Sequence, residues 1–179
     1  MKIHKKNVST IMNIFEDNLN YLEDFKEFNK QLEKDTKSTG DVQRRSTNAK
    51  AYMTHWQMAN KFNSYNKLLK IICTEKIPKY QDIKLIQNGE VFFSCKDMWG
   101  VIYKKNDETK KHRHLSIFSF TYYVKASENC SPIIFSDPGY LEIQPKTGTL
   151  LIWKGEYEHY VPKQKTNSPR IVISGNINC

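Results

Sequence analysis

The feature that most constrains this chain is a change of hydrophobic rhythm at Pro78. Before it, apolar residues recur at steps of three and four, the spacing of one helix face. Ile11, Ile14, Phe15, Leu19, Leu22, Phe25, Phe28 and Leu32 form such a stripe, with Ser9 and Thr10 as caps, and predict a helix over residues 9–35. A polar segment from Thr36 to Lys50, containing Gly40, reads as a loop. Tyr65, Leu68, Leu69, Ile71 and Ile72 predict a second helix over residues 63–76, which Pro78 should stop.

After Pro78, short runs of β-branched and aromatic residues alternate with turn signals. The predicted strands are Ile83–Ile86, Val91–Ser94, Trp99–Lys104, Leu115–Lys125, Ile133–Phe135, Leu141–Ile143, Thr149–Trp153, Tyr160–Val161 and Arg170–Asn176. Asn88-Gly89, Pro138-Gly139 and Thr147-Gly148 supply turns. Many short strands argue for a sandwich or barrel and against a βαβ fold. The 179 residues suffice for one domain, helical over 1–80 and β over 81–179, with the helices covering one face of the sheet.

Composition narrows the setting. Mean hydropathy is −0.67. No stretch approaches the roughly 20 apolar residues of a membrane span. The basic start, Met1 to Lys6, is not followed by an apolar core, so no signal peptide is expected and a cytoplasmic location is the default. Cys73, Cys95, Cys130 and Cys179 have no metal-finger or C-x-x-C spacing and read as free thiols. The net charge of +9 is spread along the chain, and no nucleic-acid-binding motif accompanies it.

Candidate chemistry lies in the β region. His112 and His114 are two apart at the start of a predicted strand, and alternate strand residues share a face, so both imidazoles could grip one metal ion. His159 closes a later strand and Arg170 opens the last one. Asp107 and Glu108 read as a polar turn, and the stretch of Met53, His55, Trp56 and Met58 as core packing.

The ordered series resembles the 2-oxoglutarate/Fe(II)-dependent dioxygenases, in particular a branch of small bacterial and phage members related to prolyl hydroxylases. Its elements here are Trp99-Gly-Val-Ile-Tyr103, His112-Arg-His114, Phe120-Thr-Tyr-Tyr-Val124, Pro145-Lys-Thr-Gly148, Leu150-Leu-Ile-Trp153, His159-Tyr-Val-Pro162 and Arg170-Ile-Val-Ile-Ser174-Gly-Asn176. They span residues 91–176, about half the chain. The resemblance implies a mainly β double-stranded β-helix (jelly roll, cupin-like) of about eight core strands, with the N-terminal helices packed on one face. It implies Fe(II) on His112, His114 and His159, and 2-oxoglutarate chelating the iron with its far carboxylate on Arg170, where a guanidinium offers two prongs. Ser174 shares strand parity with Arg170 and is expected to face the cosubstrate. Tyr122 and Tyr123 are candidates for a hydrogen bond to it, and only one of them can point inward. Phe118, Phe120, Tyr122 and Ile152 are expected to line the barrel.

The wider superfamily uses His-x-Asp or His-x-Glu where this chain has His112-Arg-His114. Either His114 is a true ligand, or a carboxylate such as Asp137 completes the site, or the site does no chemistry. A protein or peptide is the first expectation for the substrate, a nucleic-acid base the second and a small metabolite the third. The rivals are a cupin-like binding or structural module, and a cupin-type enzyme using three histidines without a cosubstrate. Abundant Lys, Asn and Ile fit AT-rich coding. With the branch resembled, that makes phage origin, and so a host cytoplasm, an expectation.

Overall fold

A computed structural model describes residues 2–6, 12–41, 47–80 and 94–178. In chain order the strands are β1 (Lys2–Lys6), β2 (Met12–Asn18), β3 (Ala49–Lys50), β4 (Tyr52–Met53), β5 (Ser94–Tyr103), β6 (Glu108–His112), β7 (Phe118–Lys125), β8 (Ile133–Asp137), β9 (Leu141–Ile143), β10 (Thr149–Lys154), β11 (Glu158–Val161) and β12 (Arg170–Asn178). Helices α1 (Phe25–Lys37), α2 (Met58–Lys61), α3 (Asn63–Ile71) and α4 (Ile77–Tyr80) lie between β2 and β5. The strands form a seven-stranded sheet, β1-β2-β10-β7-β12-β5-β4, and a five-stranded sheet, β3-β6-β11-β8-β9. Together they make the double-stranded β-helix that the resemblance implies, mainly β with the helices on one face. Among the described residues no helix is long and apolar enough to cross a membrane.

Strand alternation sorts the larger sheet into two faces. Phe118, Phe120, Tyr122, Ile152, Ile171 and Ile173 pack against Phe28, Leu32, Tyr65 and Leu68 of α1 and α3. Trp99, Val101, Tyr103, Tyr123, Trp153 and Val172 face the smaller sheet and meet Phe135, Ile143 and Val161. Fully burying one such large apolar side chain stabilises by about 1.5–3 kcal/mol. The expectation that Phe118, Phe120, Tyr122 and Ile152 line the barrel is corrected here for Phe118, Tyr122 and Ile152: all four belong to the helix-facing core, and of them only Phe120 also borders the cavity between the sheets. Both faces of these strands are buried, so the sequence shows a continuous apolar run in which parity is hidden.

Three other expectations change. Residues 12–18 are strand, not helix, and α1 begins only at Phe25. β2 pairs antiparallel with β10, Ile14 opposite Trp153 and Phe15 opposite Ile152. A strand buried on both sides puts apolar residues next to one another, and this mimicked a helical stripe until the long-range pairing decided it. Pro78 does not end the second helix: a π-turn over Ile72–Lys76 leads into α4. Pro78 is carried inside this continuous helical run, directly after the π-turn, which is where a helix absorbs such an interruption. Finally, β6 joins Glu108 to His112, although its sequence Glu-Thr-Lys-Lys-His has no apolar residue to announce it. Of the residues predicted as strands before Trp99, Ser94 opens β5, while residues 83–86, 91–93 and the turn at 88–89 lie outside the described residues.

Candidate metal centre

Two backbone devices bring the three histidines together. The first is a bulge in β6. His112 lies opposite His159 and Thr109 opposite Val161, so three residue steps on β6 match two on β11. The extra residue re-aims the strand end and turns both Thr109 and His112 toward the interior. The second device holds His114, which lies beyond the end of β6. Its N–H donates to the Gly155 carbonyl at 2.9 Å, and the Gly155 N–H donates to the Ile117 carbonyl at 3.2 Å. A Cβ on Gly155 would run into the Ser116 carbonyl oxygen and stand 2.6 Å from the Ser116 hydroxyl. Only glycine lets the 114–117 segment sit this close. His112 and His114 do converge, but by a bulge and a clamp, not by simple alternation along one strand.

The ring centroids of His112 and His159 are 4.4 Å apart, those of His112 and His114 4.8 Å, and those of His114 and His159 5.2 Å. One ligand nitrogen from each ring lies within 4.8 Å of the other two. His112 Nδ1 pairs with the Lys110 carbonyl at 2.8 Å and His159 Nδ1 with the Tyr157 carbonyl at 3.0 Å. A carbonyl only accepts, so each Nδ1 carries the proton and each Nε2 keeps a bare lone pair. Burial lowers the pKa of all three rings. It holds His112 below the ordinary histidine value. It takes His114 down to about 4, with help from His112, and His159 well down, with help from both neighbours. Three neutral imidazoles facing one point are what a borderline divalent cation such as Fe(II) binds.

The histidines open onto a cavity of about 280 Å³ between the sheets. Its size suits a small metabolite, since drug-sized ligands take about 300–1,000 Å³. Arg170 lines it and is 1% exposed. Its Nη1 donates to the Ser131 carbonyl at 2.7 Å, and its guanidinium sits 4.0 Å from the centre of the Tyr103 ring. Its Nε is enclosed without an acceptor, and no carboxylate among the described residues pairs with it. An enclosed cation without a counter-ion is costly, so this donor set fits the carboxylate of a bound ligand. Tyr123 also lines the cavity, fully buried, and burial keeps its phenol protonated as a donor. Ser174 lines it too and shares a 2.8 Å hydrogen bond with Thr121.

Two proposed site residues lie elsewhere. Tyr122 points to the helices and donates to Asn29 Oδ1 at 2.7 Å, so of the tyrosine pair it is Tyr123 that faces inward. Asp137 does not complete the metal group: its half-exposed carboxylate pairs with Arg113, which projects away between the two histidines. Sequence reasoning missed Tyr103, Trp153 and Gly155. All three tryptophans, Trp56, Trp99 and Trp153, line the cavity. Correct inward parity on β10 would have found Trp153. Nothing in the sequence marks Gly155.

No family model matches this chain, and no curated protein matches it by sequence. Solved structures do. A 2OG-Fe(II) oxygenase family oxidoreductase from Burkholderia pseudomallei superposes with a TM-score of 0.62 at 10% identity, covering 84% of this chain and 77% of that one. HygX from Streptomyces hygroscopicus, with nickel and 2-oxoglutarate bound, gives 0.68 at 9% identity over 93% and 83%. A Trichoplax adhaerens prolyl hydroxylase, in complex with a hypoxia inducible factor peptide fragment, gives 0.64 at 14% over 92% and 83%. The chain has the 2-oxoglutarate/Fe(II) oxygenase fold. Within that fold the three histidines and Arg170 share one cavity, so its metal-ready cluster and its anion-ready cation can address a single small ligand.

Proposed function

We propose that the protein is an Fe(II)- and 2-oxoglutarate-dependent dioxygenase that hydroxylates a C–H bond, with a protein or peptide as substrate. One observation carries the reading: a neutral three-histidine cluster and an enclosed guanidinium without a counter-anion among the described residues line the same small cavity. His112, His114 and His159 hold the metal, with their tautomers set by the Lys110 and Tyr157 carbonyls. Arg170 takes the far carboxylate of 2-oxoglutarate, held in place by Tyr103 and the Ser131 carbonyl, and Tyr123 and Ser174 supply further donors. The bound pair would supply reduction of O₂, one oxygen atom going into succinate as the keto acid loses CO₂ and the other into the hydroxylated C–H bond of the substrate. Trp99 packs on His114, and Phe135 and Trp153 pack on His159 and shield it from water.

A peptide is favoured by the likeness to the peptide-bound prolyl hydroxylase. It is also favoured by an open groove beside the cavity. Gln57, Asn60, Lys61 and Asp97 line the groove, and it shares Trp56 and Asn176 with the cavity. Side-chain amides both donate and accept, as a peptide backbone requires.

A second reading is an oxygenase or isomerase that uses the metal without a cosubstrate. It is favoured by the absence of any carboxylate from the histidine group among the described residues. Anaerobic titration with Fe(II) and then 2-oxoglutarate separates the two. The dioxygenase reading expects a visible metal-to-ligand charge-transfer band that needs both additions and disappears in Arg170→Ala. Iron binding with no such band removes the 2-oxoglutarate mechanism and leaves the second reading.

A further inference from the structure

We infer that the indole N–H of Trp153 is a dedicated hydrogen-bond donor to the metal-end carboxylate of the bound keto acid. Trp153 is 1% exposed, and its Nε1 is one of two enclosed donors without an acceptor on the residues that line the cavity, the other being Arg170 Nε. The large majority of buried donors are paired, so an orphan on a residue that lines a ligand cavity points to an acceptor that the ligand brings. The two orphans lie at opposite ends. Trp153 pairs with Ser119 on β7, and Ser119 pairs with Asn176 on β12, six residues along that strand from Arg170. The Trp153 ring also stands edge-on to His159 at 5.0 Å and to Phe135 at 5.3 Å. Arg170 therefore serves one end of a dianion and Trp153 the end held at the histidines.

The residue type supports this. A phenylalanine at position 153 would keep an aromatic face against Phe135 and His159 and bury no polar atom. The indole adds one N–H, and buried inside the barrel that N–H is a liability unless it is given an acceptor. The inference rests on the dioxygenase reading above, because the acceptor is part of the cosubstrate.

The test uses the full chain loaded with Zn(II), a diamagnetic replacement for iron, and follows the three indole ¹H–¹⁵N resonances. The Trp153 resonance is assigned in the wild type by its proximity to the Phe135 and His159 ring protons, so the measurement does not depend on a variant folding. Adding 2-oxoglutarate should move that resonance downfield and slow its exchange with water. Trp153→Phe should bind metal as the wild type does and bind 2-oxoglutarate roughly ten- to a hundredfold more weakly, the scale of one charge-assisted hydrogen bond. A Trp153→Phe variant with unchanged affinity for 2-oxoglutarate, or a Trp153 resonance that ignores a ligand the wild type binds, overturns this inference alone. A wild type that binds metal but no 2-oxoglutarate overturns both this inference and the dioxygenase reading.

Discussion

The two faces of β7 are made from alternate residues of one strand and do opposite work. Phe118, Phe120, Tyr122 and Val124 face the helices, where each packs into a continuous core. Ser119, Thr121 and Tyr123 face the barrel, where hydroxyls meet hydroxyls and the cavity. The same contrast holds on β10, with Leu150 and Ile152 outward and Leu151 and Trp153 inward. The outer face contributes stability. The inner face spends some of it, on a cation and an indole that have no counter-ion and no acceptor among the described residues, and on three imidazoles kept neutral by burial. Strain of this kind collects where a ligand is meant to relieve it.

Substitutions on the two faces should therefore separate stability from binding. The largest effect is expected at the histidines. His159→Ala, and equally His112→Ala, should abolish iron-dependent turnover and tight Fe(II) binding in equilibrium dialysis, while far-UV circular dichroism still reports a folded chain. Turnover retained in either variant would remove that residue from the ligand set. On the outer face, Phe118→Ala should destabilise the fold by about 3–5 kcal/mol in urea unfolding. Where that variant stays folded, its affinity for metal should be close to that of the wild type. A comparable loss of metal affinity would show that the two faces are not independent.

Arg170→Met makes the comparison sharper, because the inner face should then gain what function spends. Replacing an enclosed, unpaired cation with an apolar side chain of similar length should raise the stability of the ligand-free protein, by up to about 1–4 kcal/mol. Loss of the donor to the Ser131 carbonyl offsets about 1 kcal/mol of that gain. The same change should remove 2-oxoglutarate binding. A variant less stable than the wild type would mean that Arg170 is a structural residue.

Acid gives a further test of the inner face. The folded state holds the three histidines below their ordinary value, so below about pH 6.5 the unfolded chain takes up protons that the native chain refuses. Stability of the metal-free protein should be full above that pH and fall as the pH drops toward about 4, the value for His114. Removing two of the three titrating rings in a His112→Phe, His114→Phe double variant should reduce the slope of the urea midpoint over this window, leaving the part that belongs to His159. An unchanged slope would place the acid sensitivity elsewhere.

How much of this was legible beforehand depended on which physics set each feature. A sandwich or barrel with helices on one face follows from the pattern of strands and turns, while the jelly roll and the grouping of His112, His114, His159 and Arg170 are implied by the resemblance that their ordered motifs carry. Parity in doubly buried strands follows from neither. Tyr122 and Tyr123 are chemically alike, and only the packing of α1 against β7 turns Tyr122 to Asn29 and leaves Tyr123 inside. Nor does the sequence display β2, whose identity depends on pairing with β10 some 135 residues away. The β6 bulge is hidden for a further reason: Lys110 and Lys111 look like any solvated pair, and only the register against β11 shows that one residue there is extra.

Gly155 is the extreme of that last class, a residue with no chemistry of its own on which a ligand's position depends. The 114–117 segment crosses it with a hydrogen bond on each side, and the atoms a side chain would meet include the backbone oxygens of Ser116 and His114. Backbone cannot give way as the tip of a side chain can. Gly155→Ala must therefore push the segment off β10 and carry His114 out of register with His112 and His159, which stand on strands and stay put. The expected result is a folded protein whose metal affinity falls roughly tenfold, the lower end of what losing support around a metal ligand costs. This is the smallest effect predicted here. It can be read from metal quenching of the cavity tryptophans, since all three line the site. Equal affinity in the variant would mean that His114 is held by something other than this clamp, or that two histidines are enough to bind the metal.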